Sequence, residues 1–207
     1  MSASDVAEVF DRVHGDDRRS PDTRVDNGAT SAQRYPAPVA DTDLKLPTDL
    51  VLTPLVNGAA GKARPVMEWL TTFHLASVVL DPYTNESSWI LRTASRVLEE
   101  FRGCDVRINM IVTAGPDDAA AFLGPLADKF LVFCDADRSA VTAMGLTELP
   151  AFVLTQVDGK IGAKAEGWDP DSWEQVCDAI AEITKWSSIE LPASGDPVPF
   201  RGSPALG

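Results

Sequence analysis

The chain has 207 residues, 44% of them hydrophobic, with 31 acidic and 18 basic side chains and a net charge of −13. That length fits one domain with tails, and the apolar content is enough for a core. A chain this acidic lacks the concentrated positive charge that nucleic acid or anionic lipid demands of a main partner.

GDDRRSPDTRVDNGATSAQRYPAPVADTD mixes charge, Gly, Pro, Ser and Asp with almost no periodic apolar content, so residues 1–45 are expected to be disordered. Within them SDVAEVFDRV, residues 4–13, sets Val6, Val9, Phe10 and Val13 at helical spacing behind Ser4 or Asp5 as a cap. It reads either as a transient helix or as a short docking motif. MSASDVAEVFDRVHGDD carries charge in its first ten residues and has no apolar run of secretory length. With no stretch long and apolar enough for a membrane span, a cytoplasmic protein without membrane insertion is expected. His14 and His74 lie far apart and near no cysteine or carboxylate cluster. No metal site and no cofactor is expected.

Residues 46–186 are expected to form one domain. LVLTPLV reads as an extra strand and ARPVMEWL as a short helix. FHLASVVLD, 73–81, is almost continuously apolar, the pattern of a strand buried on both faces. SSWILRTASRVLEEF follows, with Ile90, Ala94, Val97, Leu98 and Phe101 on one helical face and Gly103 as a stop. VRINMIVTA (106–114) is a second strand, DDAAAFLGPLAD (117–128) a helix with acidic residues at its positive end, FLVFCD (130–135) a short buried strand and SAVTAMG (139–145) a short helix. LPAFVLTQVDGKIGAKAEG holds two apolar runs around DGK, a hairpin signal. DPDSWEQVCDAIAEITKW, 169–186, opens with Asp169 as cap and Pro170 at the first helical position. Trp173, Val176, Cys177, Ile180 and Ile183 form its apolar stripe. The tail at 187–207 contains ASGDPVPFRGSPALG, which cannot continue a helix and is expected to be flexible. The order β-α-β-α-β-α-β-β-α predicts an α/β fold, a central mixed sheet flanked by helices, parallel early and antiparallel in its last pair.

This order resembles the thioredoxin superfamily over residues 73–184, and within it the TlpA-like and peroxiredoxin-like branch. The extra βα unit FLVFCDADRSAVTAMGLTELPAF, ahead of a strand that begins at a proline, carries the branch assignment. The resemblance implies a Cys-x-x-Cys pair where the first central strand meets its helix. There, helix dipole and free amides lower a thiol pKa. Aligned on that junction, DPYTNESSWIL puts Ser87 and Ile90 at the two cysteine positions. The peroxidatic cysteine is also missing, because Thr84 is followed three residues later by Ser87. No cysteine occurs from 1 to 103, so the departure does not depend on register. Disulfide exchange needs a thiolate attacking sulfur, so the redox activity does not carry over. The resemblance also makes Pro150 the family's cis-proline, with Leu149 free to pair its backbone with an extended peptide.

Ser87 and Ser88 are candidate nucleophiles only if a base reaches them, and His74 sits 13 residues back; Ser87 otherwise caps the helix. Tyr83, Trp89 and Trp168 are candidates for an aromatic rim, or for core packing. The three cysteines are odd in number and widely spaced, so no disulfide framework is expected. Cys134 and Cys177 read as packing residues, and Cys104, in a loop after Gly103, is the candidate reactive thiol. Three functions remain open. The first is a redox-inactive module that binds a protein or peptide through a cleft of Tyr83, Ser87, Trp89, Leu149, Pro150 and Trp168. The second is an oxidoreductase using Cys104. The third is a structural subunit tethered by its tails.

Overall fold

The computed structural model describes residues 44–207. The helix expected at 4–13, His14, and the disorder expected up to residue 43 lie outside the described residues. Leu44 and Lys45, assigned by sequence to that disordered stretch, belong to the fold: the Ile161 N–H donates to Leu44 O at 2.9 Å, and Lys45 bridges Lys160.

In chain order the elements are β1 (Val51–Val56), β2 (Ala59–Ala60), β3 (Arg64–Pro65), α1 (Val66–Trp69), β4 (His74–Leu80), α2 (Asn85–Glu100), β5 (Val106–Val112), α3 (Pro116–Leu123), α4 (Leu126–Lys129), β6 (Leu131–Cys134), α5 (Ser139–Ala143), β7 (Glu148–Leu149), β8 (Ala151–Thr155), β9 (Ile161–Glu166), α6 (Pro170–Thr184) and β10 (Ser203–Pro204). The main sheet runs β2-β1-β6-β5-β4-β8-β9, with β3 also on β1. β4 pairs parallel with β5 and antiparallel with β8, which makes the sheet mixed, as expected.

The unbroken apolar run of β4 follows from cover on both faces. Ala76, Val78 and Leu80 pack with Ile90, Val97 and Leu98 of α2 and with Trp173, Val176 and Ile180 of α6. Leu75 and Val79 point the other way, into a second cluster with Val66 and Leu70 and with Val141 and Met144 around α5. Period-2 alternation sends successive side chains to opposite clusters.

Some elements differ from the sequence reading. α2 starts at Asn85, two residues ahead of the SSW run, with Thr84 as its flanking residue. The helix expected over 117–128 is two short ones, α3 and α4, separated at Gly124–Pro125, where Pro125 has no N–H to continue the ladder. ARPVMEWL is helical only from Val66, because Arg64 and Pro65 pair with β1.

The largest correction concerns residues 187–207. They do not continue α6, yet they do not run free. Leu191 and Ala205 are buried, Phe200 bridges Trp168, and β10 pairs antiparallel with β7. Asp196 ties the middle of this segment to α2: its carboxylate accepts from Thr93 Oγ1 at 2.8 Å, Arg96 Nη2 at 2.7 Å and Ala193 N at 2.7 Å. Proline and glycine exclude a helix, but an extended strip can still be held through its backbone amides. The ordered domain therefore extends past residue 186 to the end of the described chain.

Candidate functional site

The C-terminal end of β4 turns into α2 through Asp81-Pro-Tyr-Thr. Local side chains hold this turn. The Asp81 N–H donates to Ser87 Oγ at 2.8 Å, the Tyr83 N–H donates to Asp81 Oδ1 at 3.0 Å, and Thr84 Oγ1 donates to Asp81 O at 3.1 Å. Asp81 is 4% exposed, and its other carboxylate oxygen accepts from Arg138 Nη2 at 2.8 Å. Pairing of this kind offsets the cost of taking a carboxylate out of water. Arg138 reaches it from the residue flanking α5, where its backbone is left-handed at φ 57°. The same guanidinium donates through Nη1 to Ala205 O at 2.5 Å. One cation thus joins the strand-to-helix turn to the C-terminal segment.

Opposite this turn lies β7, followed by a cis peptide between Leu149 and Pro150. The register sets Ser203 against Leu149 and Pro204 against Glu148. The Ala205 N–H donates to Thr147 O at 2.8 Å, and Ser203 Oγ donates to Leu149 O at 3.3 Å. Phe200 and Trp168 exchange two backbone bonds of 2.9 Å each. The contact is close enough to require glycine on both sides. A Cβ on Gly202 would meet Leu149 O at 2.7 Å, and one on Gly167, at φ +70°, would meet Gly202 N and Phe200 O at 2.9 Å. β7 is in turn held from behind by Glu166, whose Oε2 accepts from Thr147 N, Thr147 Oγ1 and Glu148 N at 2.7–2.8 Å. Burial alone would raise that carboxyl, but these bonds hold it below the usual carboxylate range.

The residues expected at the site divide into groups. Ser87, Leu149 and Pro150 are buried at the junction, with Leu149 paired to the C-terminal segment. Trp89 is 55% exposed and meets Phe200 edge-on, ring centres 5.5 Å apart. Trp168 is fully buried, T-shaped against Trp173 at 5.2 Å, and its Nε1 donates to Pro197 O at 2.9 Å. It forms a floor under the segment, not a rim. Tyr83 is exposed and turns away toward α3, donating to Asp118 Oδ2 at 2.6 Å; that bond raises its phenol pKa. No aromatic cluster of all three forms.

Among the described residues, no base reaches Ser87 to make it a nucleophile. Its Oγ contacts the Asp81 N–H and the Thr84 hydroxyl, and neither is a base. It does not cap α2 in the expected way either: it bonds back to the end of the strand and fixes the turn. His74 opens β4, so the strand's own length, about 23 Å at ~3.3 Å per residue, separates it from Asp81.

Cys104 lies at the other end of the sheet, just before β5 starts opposite His74. Its Sγ donates to Phe101 O at 3.1 Å, and burial raises its thiol pKa. Burial likewise raises Cys134 and pushes Cys177 up to about 12. All three are free thiols. None has the lowered pKa that a reactive cysteine needs. Cys134 faces an open groove of about 810 Å³ between β1 and α5, lined also by Leu50, Pro116, Ala136 and Thr142 and apart from the cleft.

Sequence reasoning missed Asp81, Arg138, Glu148, Phe200 and Gly202. Asp81 and Arg138 are acid and base beside a turn and the CDAD stretch, with no spacing that pairs them. Phe200-Arg-Gly was visible as the aromatic and basic part of a segment otherwise poor in both.

No family model matches the sequence, and no curated protein matches it. Solved structures do match the fold. DsbF from Mycobacterium tuberculosis, in mixed oxidized and reduced forms, superposes with a TM-score of 0.53 at 15% identity, covering 67% of this chain and 99% of that one. A cysteine-to-serine mutant of peroxiredoxin Q from Xanthomonas campestris gives 0.53 at 14% identity, over 69% and 96%. The bacterioferritin comigratory protein of Xanthomonas campestris gives 0.52 at 14%, over 70% and 97%. Among the described residues, no helix is long and apolar enough to cross a membrane. Topology, register and neighbours together give this chain a thioredoxin-like fold with no cysteine at its strand-to-helix turn.

Proposed function

We propose that the protein is a thioredoxin-like binding module that does not exchange disulfides and whose cleft, between the α2 turn and Leu149–Pro150, takes an extended peptide segment. One observation carries this reading: the backbone at Leu149 pairs antiparallel with an extended strip of chain, in the strand-addition mode that gives affinity through main-chain bonds. The chemistry supports the first half of it. Ser87 and Ile90 stand at the positions the resemblance assigns to cysteines, and no serine hydroxyl can form or resolve a mixed disulfide. Cytoplasmic residence belongs to the same proposal.

An insulin-type reduction assay with excess dithiothreitol tests the redox half. Full-length protein is expected to add nothing to the uncatalysed rate. Turnover that disappears on Cys104→Ser would replace this reading with that of a relocated thiol.

A further inference from the structure

The C-terminal segment crosses the cleft with its side chains unequally engaged, and that inequality defines a recognition pattern. Phe200 places its ring against Trp89 while its backbone pairs with Trp168. Arg201 is itself exposed, its side chain engaged only through Nη2, which meets Glu148 Oε1 at 2.6 Å, and Gly202 lies where any side chain would strike the Leu149 backbone. Ala205 is fully buried, with its N–H on Thr147 O and its carbonyl on Arg138. By contrast Val198 is 82% exposed and Leu206 62% exposed, so the cleft reads neither.

We infer that residues 200–205 are an internal copy of the ligand: the cleft selects an extended protein segment that reads aromatic, basic, glycine, serine, any residue, alanine, and the chain's own tail competes with that partner. This rests on the reading of the cleft as a peptide site. Each selected position has its own cause. The aromatic packs edge-on with Trp89, the basic residue answers Glu148, the glycine admits the backbone, the serine hydroxyl donates to Leu149 O, and the alanine is fully buried between Thr147 O and Arg138. Tethering gives the tail a high effective concentration, so an outside segment binds weakly until the tail is displaced. The occupant is a segment of a different protein whose basic residue complements Glu148 and a chain of net charge −13.

The test is calorimetric titration of full-length protein with the peptide DPVPFRGSPAL, residues 196–206. Gly202→Val in the protein dislodges the tail by collision with Leu149. This variant is expected to bind the peptide at least tenfold more tightly than wild type. Peptides carrying Phe200→Ala or Gly202→Val are expected to lose tenfold or more, a peptide carrying Arg201→Glu, at an exposed ion pair, about threefold, and peptides with Val198→Ser or Leu206→Ser less than twofold. Should Gly202→Val fail to fold, Phe200→Ser/Arg201→Glu serves in its place, since it removes two side-chain contacts and introduces no collision. If all the peptides bind equally, the recognition pattern is overturned while the peptide-site reading stands. If none binds to either variant, both are overturned. A wild-type protein that runs as a dimer at the titration concentration would put a second copy's tail in the cleft, which also overturns the inference.

Discussion

The two ends of β4 differ in what they bond to. At its C-terminal end Asp81 is enclosed by Ser87, Tyr83 and Arg138, and Arg138 passes the connection on to Ala205. At its N-terminal end His74 has a buried Nδ1 with no partner, burial lowers its pKa, and the nearby Cys104 holds its proton more tightly than an ordinary thiol. One end is a polar junction that organises chain from four segments. The other is a loop edge carrying a thiol that burial makes less acidic. A thioredoxin-like frame with no cysteine at its strand-to-helix turn can therefore still have that end of its sheet as the organised one.

The largest effect should come from the floor of the cleft. Trp168→Ala removes a fully buried indole packed on Trp173 and should cost about 3–5 kcal/mol, read as a shift in urea denaturation by circular dichroism. A loss below about 1 kcal/mol would mean the floor is not continuous with the core. Next comes the junction. Asp81→Ala leaves Arg138 without its carboxylate and the Tyr83 N–H without an acceptor, an expected loss of about 2–3 kcal/mol by the same measurement.

The tail should respond to acid. Burial would raise the Asp196 carboxyl, but the bonds from Ala193, Thr93 and Arg96 win and hold it below its ordinary value. A carboxyl lowered in the folded chain contributes its stabilisation above its unfolded pKa of about 4 and loses it as pH falls through the lower folded value. Glu166 acts in the same direction behind β7. Hydrogen-exchange protection at the Ala205 amide should therefore be full at pH 6 and collapse below about pH 4, with Asp196→Asn already weakened at pH 6. Equal protection in the variant and wild type would separate the tail from its α2 anchor. The smallest effect belongs to the thiol end. Cys104 should react with an aromatic disulfide no faster than free cysteine at pH 7, and a faster reaction would erase the contrast between the two ends.

The two-sided burial of β4, the apolar stripes of α2 and α6 and the DGK hairpin were legible because each rests on local periodicity or turn chemistry. Asp169 and Pro170 likewise mark the start of α6, where Asp169 Oδ2 accepts from Ser172 N at 3.0 Å. The path of residues 187–207 was not legible. It depends on backbone amides, which every sequence offers equally, and on two glycines, Gly167 and Gly202, far apart in the chain, that must meet in space. For Trp168 the choice between rim and core packing stayed open for a related reason: a position before a helix says nothing about what will be laid over it. The absence of cysteine at the α2 turn was fully readable, since identity alone decides it.

The edge-on contact of Trp89 with Phe200 gives the protein an optical reporter of its own. Among the five indoles only Trp89 and Trp186 are strongly exposed, and Trp186 is tied by its Nε1 to Glu100 O, far along α2. Departure of the tail would uncover one face of Trp89 to collisional quenchers such as acrylamide, so occupancy of the cleft can be followed in unlabelled protein by emission alone.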